Sequence, residues 1–219
     1  MIVNERISAY INSLERELPK ELLDLEKDAL INQVPIIKKD TQGVLRFLLN
    51  YIKPKRILEV GTAIGFSALF MSEYTSEDST ITTIEKVPMR LVEARKNFND
   101  SRFPHKDKII LEEGEGLEVL KSLVMREKTY DFIFLDAAKA QYMSFLPELM
   151  KLLTCEGVLI TDNVLQDGTV TNSRYSITRR DRTIHSRMRE YLYTITHMEE
   201  LDTMILPVGD GISVSTRIK

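Results

Sequence analysis

The sequence predicts an α/β fold, a mostly parallel sheet with helices on both faces. Three observations predict it. Five short apolar runs alternate with four helical stretches, the rhythm of repeated βαβ units. One of these units, Ile57–Leu69 (ILEVGTAIGFSAL), passes from a strand through a glycine turn into a helix. After Asp162 the rhythm stops, and two strand-like runs close the chain around the turn Gly209-Asp210-Gly211. So short a link joins antiparallel strands.

The N-terminal elements stand outside this alternation. Glu5–Leu18 carries Ile7, Tyr10, Ile11, Leu14 and Leu18 at the spacing of an amphipathic helix. Pro19 starts a second helical piece, Lys20–Ile31. Both precede the first strand, so residues 1–53 read as a helical cap or a dimer segment. Gln33–Lys39 is a loop containing Pro35. Asp40 or Thr41 can cap a helix that runs through Ile52, and Pro54 closes it.

Strands are expected at Arg56–Val60, Thr80–Ile84, Lys108–Glu112, Phe132–Leu135 and Val158–Thr161. The helices between them are Gly65–Tyr74, Met89–Asn99, Gly116–Arg126 and Gln141–Leu153. A polar segment, Gln166–Arg180, leads into a helix at Arg182–Thr196. The final strands are Thr203–Pro207 and Ile212–Arg217. Nothing resembles an interdomain linker, so residues 1–219 read as a single domain.

Composition narrows the function classes. The net charge of −3 excludes bulk attraction to nucleic acid, so any such binding needs a local patch. A single cysteine, Cys155, excludes an internal disulfide and suits a reducing cytoplasm; it reads as a small core hydrophobe. No apolar run approaches the length of a membrane span, and MIVNERISAY carries charges where a signal peptide needs an apolar stretch. The expectation is a cytoplasmic protein with no membrane partner.

The glycine turn limits the ligand. A dinucleotide fingerprint needs G-x-G-x-x-G, whereas Gly61 and Gly65 are spaced G-x-x-x-G. No Gly-Lys-Ser/Thr follows, so it is not a phosphate loop either. A nucleoside ligand without phosphates fits better. Glu85 ends the second strand, where an acidic side chain can take both ribose hydroxyls. Alone, Glu85 could be a solvated strand-end charge; one βα unit after the glycine turn, it reads as a ligand contact. This pattern suits S-adenosylmethionine (SAM), with its amino-acid end near Glu59, Gly61 and Ser67 and its ribose at Glu85. Gly114-Glu115-Gly116 follows the third strand and could meet the adenine, a weaker signal.

A second cluster falls on the same sheet edge. The fourth strand ends on Asp136, and the fifth is followed by Asp162 and Asn163. Two carboxylates and an amide oxygen form an all-oxygen donor set suited to Mg²⁺, while the three histidines are scattered. Lys139 lies three residues after Asp136, at the start of the next helix. Beside a cation its ammonium form is disfavoured, and the neutral amine can take a proton from a substrate hydroxyl. Taken singly, these residues could be helix caps and a surface lysine. Four of them at one sheet edge read as a catalytic site.

EVGTAIGFSAL, LDAAKAQY, TDNV and LPVGDG together resemble the metal-dependent, catechol-type SAM O-methyltransferases, which include the caffeoyl-CoA methyltransferases. The resemblance runs from about Pro35 to the C-terminus. It implies a class I, Rossmann-like sheet of seven strands with an antiparallel C-terminal hairpin, and usually a homodimer. It implies Asp136, Asp162 and Asn163 as Mg²⁺ ligands and Lys139 as base. Ile37, Glu59, Gly61, Ser67, Glu85, Gly114, Glu115, Gly116 and Asp136 would line the SAM site, and Tyr142 would stand near the substrate.

The segment Arg174–Arg189 bears on the acceptor. It holds six arginines and one acid in a chain that is acidic overall. Arg174, Arg179, Arg180 and Arg182 could meet an RNA backbone, and Tyr175 could stack on a base. This segment resembles the bacterial tRNA 5-hydroxyuridine methyltransferases, which implies the anticodon region of tRNA as partner. Methylation of the wobble 5-hydroxyl would give 5-methoxyuridine. The same arginines could instead be a solvated helix face or hold a phosphorylated small molecule such as a CoA ester. A small catechol or caffeoyl-type acceptor is therefore the alternative. A nucleoside-binding module without catalysis is disfavoured by the intact Asp136, Lys139, Asp162 and Asn163, and an NAD-dependent dehydrogenase by the missing third glycine.

Overall fold

A computed structural model describes residues 2–179 and 181–219. Seven strands form one sheet: β1 (Arg56–Val60), β2 (Thr80–Glu85), β3 (Ile109–Glu113), β4 (Tyr130–Leu135), β5 (Leu153–Thr161), β6 (Leu201–Leu206) and β7 (Ile212–Arg217). Their order is β3-β2-β1-β4-β5-β7-β6, parallel through β5, with β7 antiparallel to both β5 and β6. The helices are α1 (Glu5–Ser13), α2 (Lys20–Ile31), α3 (Lys39–Ile52), α4 (Phe66–Glu73), α5 (Pro88–Phe98), α6 (Gly116–Met125), α7 (Tyr142–Leu152) and α8 (Arg182–His197).

The central strands are apolar on both faces because helices cover both. Ile57, Phe132, Phe134 and Ile160 pack with α2, α3 and α4 on one face. Leu58, Val60, Ile133, Leu135 and Leu159 pack with α6, α7 and α8 on the other. The period of two along each strand sorts neighbours such as Phe134 and Leu135 onto opposite faces.

The N-terminal helices divide unexpectedly. α2 and α3 belong to the core: Leu22, Ala29, Leu45 and Leu49 are buried against α4, whose residues Phe66–Ser72 are all buried. Only α1 remains outside, with no buried residue and with Ile7, Tyr10, Ile11 and Leu14 exposed. It stops at Ser13, short of the sequence stripe, and the Ser13 hydroxyl bonds the Tyr10 carbonyl at 2.6 Å. Pro19 also disfavours the helical conformation at Leu18.

α3 begins at Lys39, and neither Asp40 nor Thr41 caps it. β5 begins at Leu153, five residues earlier than the sequence suggests. Leu153 pairs with Tyr130, the chain then makes an excursion through Glu156 (φ 63°), and pairing resumes at Val158 opposite Phe132. Cys155 rides on this excursion and is exposed, not a core residue. Among the described residues, no helix is long and apolar enough to cross a membrane.

Candidate active site

Register places the chemistry. Ile84 pairs with Val60, Val60 with Leu135, and Leu135 with Thr161. The next residue of each strand is Glu85, Gly61, Asp136 or Asp162, so these four form one row on the carboxyl edge. Hydrogen bonds extend the ladder to the row: Gly61 N–H donates to the Ile84 carbonyl at 3.1 Å, and Asp136 N–H to Val60 at 3.0 Å. Asp162 N–H donates to Leu135 at 3.0 Å. A cleft of about 940 Å³ opens over the row. It sits where β1 and β4 diverge in winding, the usual ligand position of open α/β sheets.

Gly61 is required by contact as well as conformation. Its φ is +111°, and a Cβ there would lie 1.9 Å from the Asp136 carbonyl oxygen. Backbone cannot swing aside as a side chain can. Gly61→Ala should therefore cost roughly 1–3 kcal/mol of stability and weaken donor binding by pushing β1 from β4. Thermal melting and SAM titration check this, and an unchanged melting temperature with unchanged affinity would refute it.

Glu85 is buried and shapes the glycine turn. Its Oε2 accepts from the Ala63 N–H at 2.9 Å, and its Oε1 accepts from the Lys86 and Val87 N–H groups, each at 2.9 Å. Three of about four acceptor positions on the carboxylate are thus filled. One position remains for a ligand hydroxyl, where the sequence suggested two.

Ile37, Gly61, Ser67, Glu85, Gly114, Gly116 and Asp136 all line the cleft. Two of the expected contacts do not. Glu59 is fully buried below the turn, because within β1 its side chain projects to a sheet face and not over the edge. Its carboxylate accepts from the Thr83 hydroxyl, while Oε1 has no partner among the described residues. Burial pushes its pKa up to about 7, against the pull of the neighbouring Ser67 and Thr83 hydroxyls. Glu115 turns outward, with Lys86 Nζ 3.1 Å from its Oε1.

Asp136, Lys139, Asp162 and Asn163 share the same wall. Burial raises the Asp162 carboxyl to about 7, and the Asp136 charge adds to it. Burial also raises Asp136, to about 6, with the Lys139 and Arg90 charges opposing. Among the described residues no side-chain or backbone donor bonds the Asp136 carboxylate, whereas Asp162 Oδ1 accepts from the Asn163 N–H at 2.7 Å. A buried and a half-buried carboxylate, beside an amide, fit a hard divalent cation. No group of three His, Cys, Asp or Glu side chains is placed to hold a metal among the described residues; a cation held here by Asp136 and Asp162 would draw its next side-chain oxygen from Asn163.

Two positions differ from the sequence reading. Lys139 opens a short 3₁₀ turn, Lys139–Gln141, ahead of α7. Tyr142 is fully buried and absent from the cleft wall; its hydroxyl donates to the Asp162 carbonyl at 3.2 Å and its ring packs edge-on against Tyr191. It supports the Asp162 loop from beneath the cleft.

The arginine segment lies outside the cleft. Tyr175 is 89% exposed, Arg179 is exposed, and Arg182 Nε donates to the Ile177 carbonyl at 3.3 Å. Arg180 and the Arg174 side chain lie outside the described residues. The segment does border the site: Arg187 Nη1 donates to the Ala140 carbonyl, next to Lys139, at 2.9 Å. Among the described residues, Arg179, Arg182, Arg187 and Arg189 form no ion pair.

Three cleft residues carry no sequence signal of their own. Lys38 sits in a loop and reaches Asp210 Oδ1 at 2.5 Å, tying the N-terminal segment to the C-terminal hairpin turn. Asp210 reads in sequence only as a turn residue. Arg90 reads as one more helix-surface arginine, although it lines the cleft.

The strand order, the cleft at the β1/β4 switch and the antiparallel hairpin define the Rossmann-like fold of SAM-dependent methyltransferases. The O-methyltransferase family model matches residues 5–218, and the chain belongs to that family. A caffeoyl-CoA O-methyltransferase of Medicago sativa is 29% identical, covering 94% of this chain and 83% of its own. A caffeoyl-CoA O-methyltransferase candidate from Staphylococcus aureus superposes with a TM-score of 0.88 at 30% identity, covering 97% of this chain and all of its own. A Podospora anserina methyltransferase, PaMTH1, solved with S-adenosylhomocysteine, has a TM-score of 0.85 at 25% identity and covers 98% of this chain and 97% of its own.

Proposed function

We propose that this enzyme transfers the SAM methyl group to one hydroxyl of a small acceptor whose neighbouring oxygen lies beside it, as in a catechol or caffeoyl-type ester, with Mg²⁺ at Asp136, Asp162 and Asn163. The observation that carries this reading is the single cleft in which Gly61, Ser67 and Glu85 adjoin Asp136, Lys139, Asp162 and Asn163. The relatives named for caffeoyl-CoA support the acceptor class. Bound Mg²⁺ would lower the pKa of the acceptor hydroxyl. Lys139 Nζ accepts the hydroxyl proton, and the cleft holds acceptor oxygen and methyl carbon in line. Incubation with methyl-labelled SAM and 3,4-dihydroxycinnamate tests the class; absence of labelled product would count against it.

A second reading is carried by the unpaired arginines: the acceptor is 5-hydroxyuridine at the tRNA wobble position, yielding 5-methoxyuridine. Its hydroxyl adjoins the O4 carbonyl, the same paired-oxygen pattern. Joint replacement Arg179→Ala and Arg182→Ala should then weaken tRNA binding and reduce the salt slope by about 0.7–0.9 per lost phosphate contact, leaving SAM affinity alone. Filter binding across a salt series measures it. An unchanged slope, or unaltered 5-methoxyuridine in tRNA from cells lacking the gene, would remove this reading.

A further inference from the structure

Four cations line the cleft: Lys38, Lys86, Arg90 and Lys139. Lys38 is engaged by Asp210 at 2.5 Å, with Asp167 at 3.8 Å, and Lys86 by Glu115 at 3.1 Å. Lys139 faces the acceptor oxygen in the functional reading above. Arg90 is left over. It is exposed and forms no ion pair or hydrogen bond among the described residues. It is also badly placed for helix stability: it is the third residue of α5, whose first turn holds no acid and whose N-terminus already carries partial positive charge. A cation kept there without an ion pair among the described residues, on a cleft wall, breaks a local rule.

We propose that Arg90 binds an anionic group of the acceptor, a carboxylate or a phosphate, and thereby sets acceptor preference. This rests on the functional reading above. Arg90 lines the same cleft as Asp136 and Lys139, and its charge favours the ionised Asp136 carboxylate. Its helix neighbour Met89 and Leu30 of α2 also line the cleft and are 73% and 62% exposed. An apolar rim bearing one free guanidinium suits a flat ring with a negative substituent. Guanidinium offers the paired donors that carboxylate and phosphate oxygens accept.

The test uses two matched acceptor pairs: 3,4-dihydroxycinnamate with its methyl ester, and 5-hydroxyuridine with its 5′-monophosphate. Wild type, Arg90→Ala and Arg90→Lys are compared by kcat/KM, and by calorimetric binding to protein loaded with S-adenosylhomocysteine. Arg90→Ala should cut the anionic-over-neutral preference by about tenfold, mainly through KM, with Arg90→Lys restoring part of it. Loss in the first pair alone identifies a carboxylate source, and in the second alone a phosphate source. Methyl transfer to none of the four contradicts the functional reading, yet the binding ratio still decides Arg90. An unchanged ratio in both pairs, or no binding of any of the four, overturns the assignment.

Discussion

Asp162→Ala should lower methyl transfer by roughly 10³-fold while SAM affinity stays within a few-fold of wild type. The activity loss follows from removing one of two carboxylates that can hold the cation; Lewis-acid stabilisation is worth several kcal/mol, and each 1.36 kcal/mol is a factor of ten. SAM affinity is spared because the residues proposed to contact the donor, Gly61, Ser67 and Glu85, lie on other elements. Single-turnover rates and SAM titration separate the two effects. A variant that turns over at the wild-type rate would show that Asp162 holds nothing the reaction needs.

The same residue makes a stability prediction of opposite sign. At low pH, folded and unfolded chains both carry the Asp162 proton, and the site costs nothing. As pH rises, the unfolded chain releases it near 3.8, while burial keeps it on the folded chain up to about 7. Metal-free protein therefore loses stability across that window, since the unfolded state is the one that gains from ionisation. Asp162→Asn removes this contribution. In chelator and mildly alkaline buffer the variant should melt above wild type, and added Mg²⁺ should narrow or reverse the gap. If wild type melts higher under metal-free alkaline conditions, burial and the Asp136 charge do not destabilise the ionised Asp162 carboxylate.

The second large effect belongs to Lys139. Replacement by Met keeps the length of the side chain but removes the proton acceptor, and kcat should fall by roughly 10²–10⁴-fold, the usual worth of a general base. KM for SAM should barely move. Lys139→Arg should not rescue, because guanidinium keeps its proton throughout the accessible range. Recovery of activity in the Arg variant would mean that Lys139 serves as a fixed charge and that the hydroxyl proton leaves by another route.

The row of strand ends was legible in the sequence because two simple patterns coincide there. Apolar runs mark buried parallel strands, and the first residue after each run must lie on the carboxyl edge. Gly61, Asp136 and Asp162 follow from that rule alone. Glu59 escaped it: counted from the turn it seems adjacent to the ligand, yet as a strand residue it faces Thr83 below the sheet edge. Tyr142 was assigned from resemblance, and burial against Tyr191 decides its position instead. The excursion in β5 had no signal beyond Gly157, and α1 was overrun because apolar spacing continues through Leu14 and Leu18, past the helix end at Ser13. Lys38 and Arg90 were invisible for a different reason. Single cations carry no periodicity, and only the folded chain shows that one is paired across the cleft and the other is not.

The most direct test of the central claim is methyl transfer from labelled SAM to a catechol acceptor, followed through chelation and refilling. Transfer should vanish when EDTA strips divalent ions and return on adding Mg²⁺, with Asp162→Ala failing to recover. Transfer that proceeds undiminished in EDTA would place the reaction outside the Asp136, Asp162 and Asn163 cluster.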